Sequence, residues 1–297
     1  MNRRSLIFSV TALLSLQIAI VVTGAMVRLT GSGLGCPEWP KCTADSYRPD
    51  ESLSQFHAWI EFGNRLFTFA LFAAALIALL MVYRAKRNDL RLLAWLQLVG
   101  ILSQGVLGGI TVLTDLHPAS VASHLLLSML LIAGATSLRF KARLSAESVV
   151  QSNLTQGAAD HPIAKALVAI AYLTLIAGTV VTGSGPHAGD SKAPRFDLAL
   201  ESVAKYHSTL VALTLALTLF IAIRFPRPEA NWLLAAIFLQ GLIGYIQWWT
   251  GLPKILVGAH LLGAALFWMA VWRVRLSFKY PYLAKQDSNG YEEKAAV

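Results

Sequence analysis

Residues 6–29, LIFSVTALLSLQIAIVVTGAMVRL, run without a break into residues 30–42, TGSGLGCPEWPKC. The first stretch is apolar and long enough to cross a bilayer as a helix, since about 20 such residues span the hydrocarbon. The second leaves the membrane through a glycine turn. It carries both cysteines of the chain, Cys36 and Cys42, with five residues between them. A secretory signal peptide would end at a small-residue cleavage site. Here the run continues into a loop with its own motif, so it reads as a retained helix.

Seven further apolar runs follow, at roughly 58–83, 90–113, 119–138, 163–182, 203–223, 231–250 and 255–274. Only 14% of the 297 residues are charged, against about 25% in a soluble domain. With no water to satisfy the backbone inside a bilayer, such runs must be helical. The net charge of +9 does not point to nucleic acid, because of where the basic residues stand. Arg3, Arg4, Arg84, Lys86, Arg87, Arg91, Arg139, Lys141, Arg143, Lys165, Arg224, Arg227, Arg273, Arg275 and Lys279 all fall at one set of helix ends. The positive-inside rule makes that side cytoplasmic. Both termini are then inside, and the Cys36/Cys42 loop lies outside, where disulfides persist.

The third and seventh runs repeat one another. QGVLG (104–108) matches QGLIG (240–244), and a histidine stands 20 residues after each glutamine, at His124 and His260. TGSG occurs at 30–33 and again at 182–185, each time closing an odd-numbered helix. The expected fold is therefore an all-α membrane protein with eight transmembrane helices in two parallel four-helix bundles, N-in/C-in. Residues 1–139 form the first half and 163–279 the second. The polar stretch 140–162 links them, and 280–297 is a charged cytoplasmic tail. Glycines at these motifs end helices or let backbones approach closely, and Gly105, Gly108, Gly109, Gly241 and Gly244 also suit helix packing.

Ionisable groups inside a membrane carry a functional expectation. Counted from the cytoplasmic arginine of its own helix, His207 is 17 residues above Arg224 and His260 is 13 above Arg273. Their heights then agree within about 6 Å. Two facing imidazoles between apolar helices suit the axial positions of a heme; zinc would want a third and fourth ligand. In the first half, His124 is 15 residues above Arg139, while His57 is 27 and Asn64 is 20 above Arg84. Asn64 is the better match in height, but asparagine is a poor iron ligand. The first site is thus held by His124 alone, or shifted so that His57 reaches it. Glu61 lies one helical turn from both His57 and Asn64. A carboxylate among apolar helices must be paired or protonated; it either pairs with Arg65 at i+4 or serves chemistry. His117, His161 and His187 fall in loops, where histidine is mostly solvated. Arg28 and Arg65, near the outer interface, either pair with heme propionates or anchor at headgroups.

MVRLTGSGLGCPEWPKC (26–42), IEFGNR (60–65), QGVLGG with His124, and QG with His260 together resemble the heme A synthase family over almost the whole chain. The resemblance implies a membrane oxidoreductase that converts heme O to heme A for cytochrome oxidase, in a bacterial plasma membrane. It implies a heme b held by His207 and His260, a substrate-heme ligand at His124, a required glutamate at Glu61, and an outer-loop cysteine pair at Cys36 and Cys42. That pair reads either as a staple for a lid or as a redox device. A heme O synthase would supply substrate and an electron acceptor would take the electrons; membrane lipid and a second copy of the chain are further partners. Two departures stand out. Asn64 occupies the place where the family commonly has histidine, and the second outer loop, GSGPHAGDSKAPRF (183–196), lacks the cysteine pair found in many members. A di-heme b-type electron-transfer cytochrome, or a heme carrier without oxidase chemistry, would share the histidine pattern.

Overall fold

A computed structural model describes residues 3–147, 149 and 161–280. Most of the interhalf linker (148 and 150–160) and tail residues 281–297 lie outside the described residues. The described chain holds eight helices long and apolar enough to cross a membrane. They are α1 (Arg3–Thr30), α2 (Gln55–Arg84), α3 (Arg91–Leu113), α4 (Pro118–Ala142), α5 (Pro162–Ser184), α6 (Leu200–Arg224), α7 (Pro228–Trp249) and α8 (Lys254–Lys279). No strand occurs among the described residues. All the helices except α3 extend past their apolar runs at one end or both, several of them far enough to take in the basic residues at one end. Continuing the helix keeps backbone groups paired through the headgroup zone.

Two of the loop histidines have structural roles. His117 and His161 each precede a proline and cap a helix: their Nδ1 atoms accept the backbone N–H of Ala119 and Ile163, both at 3.3 Å. Proline at the first helical position gives up an N–H that would have had no partner. His–Pro therefore starts α4 and α5.

The helices pack in two closed rings. In one, α1 packs on α2, α2 on α3, α3 on α4 and α4 on α1; in the other the same order links α5, α6, α7 and α8. The rings meet where α1 and α4 pack on α8, and where α4 packs on α5. One apolar cluster fills the first ring, from Leu13 and Leu71 to Ile101 and Leu138. A second runs across the seam, joining Met129 and Ile132 to Leu167, Leu233 and Trp268. Indole N–H groups stitch the seam: Trp268 donates to the Met129 carbonyl (2.7 Å) and Trp272 to Ser137 Oγ (2.5 Å). The outward faces are apolar too; Ile223 is 80% and Ile255 85% exposed. Exposure on that scale would be a liability in water and is the expected lipid face of a multi-pass membrane protein.

At the end opposite the basic rim, the connections interlock. Arg28 of α1 donates to the carbonyls of His187 and Thr182 (2.9 Å for the latter). His187 Nε2 meets the Leu252 carbonyl at 2.8 Å. Gly33 N–H donates to the Gly189 carbonyl at 2.9 Å. Arg28 and Gly33 thus tie the first ring to the second, and His187 ties two connections of the second ring together.

Candidate functional site

The histidine sites are built by a unit that occurs twice. On α3 and α4, Gln104 Nε2 donates to the His124 carbonyl at 2.9 Å, and a Cβ at Gly108 would stand 3.3 Å from His124 Cε1. On α7 and α8, Gln240 Nε2 donates to the His260 carbonyl at 3.0 Å, and a Cβ at Gly244 would stand 3.4 Å from His260 Cε1. The glycines make room for the imidazoles, and the glutamines hold the helix turn that carries them. Both imidazoles keep a buried Nδ1 without a hydrogen-bond partner. A buried polar atom of this kind costs on the order of 1–3 kcal/mol unless something else uses it.

His207, on α6, is placed differently. Its Nδ1 lies 3.1 Å from the Thr174 carbonyl of α5, and its ring rests against Gly178, where a Cβ would be 3.2 Å from Cε1. A proton on Nδ1 donated to that carbonyl leaves Nε2 with its lone pair free. His260 stands on α8, which lies diagonal to α6 in the same ring. Two neutral imidazoles with room at their edges, between apolar helices, fit the axial ligands of a heme. Among the described residues, no three or more His, Cys, Asp or Glu side chains converge as a bare-ion site.

In the first ring α2 carries no imidazole at the matching height by residue count: Asn64 is 20 residues above Arg84, against 15 for His124 above Arg139. Asn64 Oδ1 accepts the Thr23 hydroxyl at 2.8 Å, across the α1–α2 seam. His57 is engaged higher up: its Nδ1 is 2.8 Å from Ser32 Oγ, which is 2.8 Å from Thr30 Oγ1. It lines a cleft of about 390 Å³ together with Leu34, Leu53, Asp190 and Ser191.

Glu61 is 5% exposed, and both of its oxygens have partners. Oε2 accepts the Cys36 N–H at 2.7 Å; Oε1 receives Arg65 Nη2 at 2.6 Å. Arg65 also donates to the carbonyls of Cys36 (2.7 Å), Glu38 (3.0 Å) and Lys41 (2.9 Å). Cys36 and Cys42 form a disulfide, with Cα atoms 4.4 Å apart. The pair Glu61–Arg65 therefore clamps the disulfide loop onto the mouth of the first ring. The loop reaches α3 as well: a Cβ at Gly109 would fall 2.4 Å from the Trp39 ring. Gly35 is required for the same docking, since its Cβ would sit 2.4 Å from the His57 carbonyl oxygen. Below the disulfide, the hydroxyls of Ser52 and Thr43 donate to Asp50 and hold its carboxyl below the usual carboxylate range.

The structure thus brings Cys36, Cys42, Glu61 and Arg65 into one cluster, carries His207 and His260 on α6 and α8 of one ring, and sets His57 and Arg28 among the outer connections. Thr23, Ser32, Trp39 and Thr174 escaped the sequence reading. Only the Gln–His spacing, with glycine four residues after each glutamine, hinted at the supporting shell.

The profile of a family described as cytochrome oxidase assembly protein matches residues 7–189. Among curated relatives, the heme A synthase of Geobacillus kaustophilus is 35% identical over 109 residues, 35% of this chain and 32% of the relative. That of Shewanella oneidensis is 32% identical over 121 residues, 36% of each chain. That of Bacillus mycoides is 27% identical over 140 residues, 46% of this chain and 42% of the relative. The matched stretches thus span from 32% to 42% of those relatives. With the family match reaching from α1 through the outer loops and the His124 site into α5, this chain belongs to the cytochrome oxidase assembly protein family.

Proposed function

We propose that this chain is a heme A synthase. It takes heme O from the bilayer into the first ring and oxidises the C8 methyl group to a formyl group, giving heme A. Water supplies the oxygen, and four electrons and four protons leave. The observation that carries the reading is the doubled Gln–Gly–His unit, Gln104–Gly108–His124 and Gln240–Gly244–His260, in a chain of this family. The two rings are then halves of a parallel repeat, with the basic rim cytoplasmic, both termini inside and the disulfide loop extracytoplasmic, in a bacterial plasma membrane.

In this reading His207 and His260 hold a heme b, which when bound supplies a one-electron relay out of the first ring. With its Nδ1–H donated to the Thr174 carbonyl, His207 would offer Nε2 to hold the iron. His124 binds the substrate heme. Glu61, at the mouth of the first ring, accepts protons or stabilises developing positive charge, and Arg65 holds its carboxylate in place. A heme O synthase delivers substrate, and an electron acceptor is required on the far side of heme b.

A second reading is a di-heme electron-transfer cytochrome. It is favoured by the finding that both Glu61 oxygens are engaged in holding the loop, which accounts for the carboxylate without chemistry. Expression in a host that makes heme O, followed by chromatography of extracted hemes, separates the two. Wild type yields heme A, while Glu61→Gln yields heme O or a hydroxylated intermediate. Heme b alone in both preparations overturns the synthase reading.

A further inference from the structure

Three arms of the histidine architecture are present, and the fourth is not. The α3–α4 unit repeats at α7–α8, but the α5–α6 arm has no counterpart at α1–α2. In the second ring, the seam below the outer turn is filled by His207, held by Thr174 and pressed to Gly178. In the first ring, the side chain nearest that height by residue count is Asn64, 20 residues above Arg84 against 17 for His207 above Arg224, about 4.5 Å of helix rise, and it is tied to Thr23. A Cβ at the adjoining Gly24 would meet nothing within 4 Å. The other candidate ligands on α2 are occupied elsewhere. His57 is seven residues up the helix from Asn64, about 10 Å, and is bonded to Ser32 in the outer cleft. Glu61 is held by Arg65 and the Cys36 N–H.

A carboxamide is a poor ligand for heme iron, but it is a good hydrogen-bond partner. Thr23 Oγ1 lies 2.8 Å from Asn64 Oδ1 and 3.2 Å from the Ile20 carbonyl. The shorter contact takes the hydroxyl proton. Asn64 Oδ1 is then an acceptor in use, and its NH₂ group is the part left to donate. The polarity and donors of the face opposite the protein ligand decide what a heme binds there.

We propose that the first ring holds its heme through His124 as the sole protein ligand, and that the opposite face takes a small exogenous ligand hydrogen-bonded by Asn64. The ligand class is water in the oxidised state and diatomic gases in the reduced state. This inference rests on the proposed function in one respect, that the first ring binds a heme.

The test uses full-length protein purified in detergent from a host that supplies heme O. Pyridine hemochrome spectra count the hemes, and carbon monoxide is added after reduction with dithionite. The expected result is two hemes per chain, with the Soret band of one shifted by carbon monoxide. Asn64→His keeps both hemes and abolishes that shift, because a second imidazole fills the sixth position. Asn64→Ala keeps carbon monoxide binding and moves the C–O stretching band, because the donor is gone. Two hemes per chain that are both low-spin and inert to carbon monoxide in wild type overturn the inference and leave the synthase reading standing. A single heme per chain, lost in His207→Ala and retained in His124→Ala, overturns the heme site in the first ring and with it the synthase reading.

Discussion

Arg65→Ala removes a guanidinium that bonds Glu61 and three carbonyls of the disulfide loop. It leaves the Glu61 carboxylate almost wholly buried, facing only backbone N–H groups of the loop, chiefly that of Cys36. Removing one member of a buried ion pair costs about 3–5 kcal/mol. The Arg65 side chain is 20% exposed and that of Glu61 7%, so the lower end applies, about 3 kcal/mol. Much of that loss falls on docking of the loop, since the broken bonds end there. A 3 kcal/mol loss in local opening free energy speeds amide exchange about a hundredfold. Hydrogen exchange with mass spectrometry, read on peptides covering residues 36–42, measures it. Glu61→Gln is the control: an amide oxygen still accepts the Cys36 N–H and the Arg65–carbonyl bonds remain, so acceleration should stay below about tenfold. If Arg65→Ala changes exchange in the loop less than about threefold, the guanidinium is not what holds it. If Glu61→Gln opens the loop as far as Arg65→Ala, the carboxylate carries the docking, and a loss of product in that variant no longer argues for chemistry.

Gly109→Ala should displace Trp39, because a Cβ there would stand 2.4 Å from the ring; overpacking of this sort costs about 1–3 kcal/mol, and a rise in acrylamide quenching of tryptophan fluorescence, absent in Trp39→Phe, would report it. Cys36→Ser with Cys42→Ser opens a closed loop with a sequence separation of 6, for which chain entropy predicts a loss of about 2 kcal/mol. A lower thermal midpoint in detergent with unchanged heme A yield would assign the bridge to stability, and lost yield at unchanged midpoint to redox chemistry. Acidification should loosen the 43–52 turn: Ser52 first, then Thr43, depress the Asp50 pKa, so its contribution is present above the ordinary aspartate value and fades as pH falls below about 4. Proteolytic nicking of this turn should rise over that range in wild type and be independent of pH in Asp50→Asn.

The eight spans were legible in the sequence because length and hydropathy are local properties that a bilayer reads directly. The doubled Gln–His spacing was legible too, since a helix converts spacing into placement. Arg28 was less so. Its position near the outer interface suggested a propionate or headgroup partner, yet it binds the carbonyls of Thr182 and His187. Those carbonyls are more than 150 residues away in the chain, and no local pattern announces them. His117 and His161 show the converse, since His–Pro is a helix start whose capping contact lies two residues away.

Glu61 marks the boundary most clearly. Its spacing to Arg65 left both an ion pair and a catalytic carboxylate open, and the helix alone allows either. The route of residues 36–42 adds what the helix alone does not: the loop folds back so that its own N–H and carbonyls join the Glu61–Arg65 pair in one cluster. Sequence by itself determined eight helices long and apolar enough to cross a membrane and the doubled Gln–His spacing, because hydrophobic length and helical period act within one segment. Which buried polar groups find partners was decided only by tertiary structure, because that depends on connections between segments whose approach no single helix encodes.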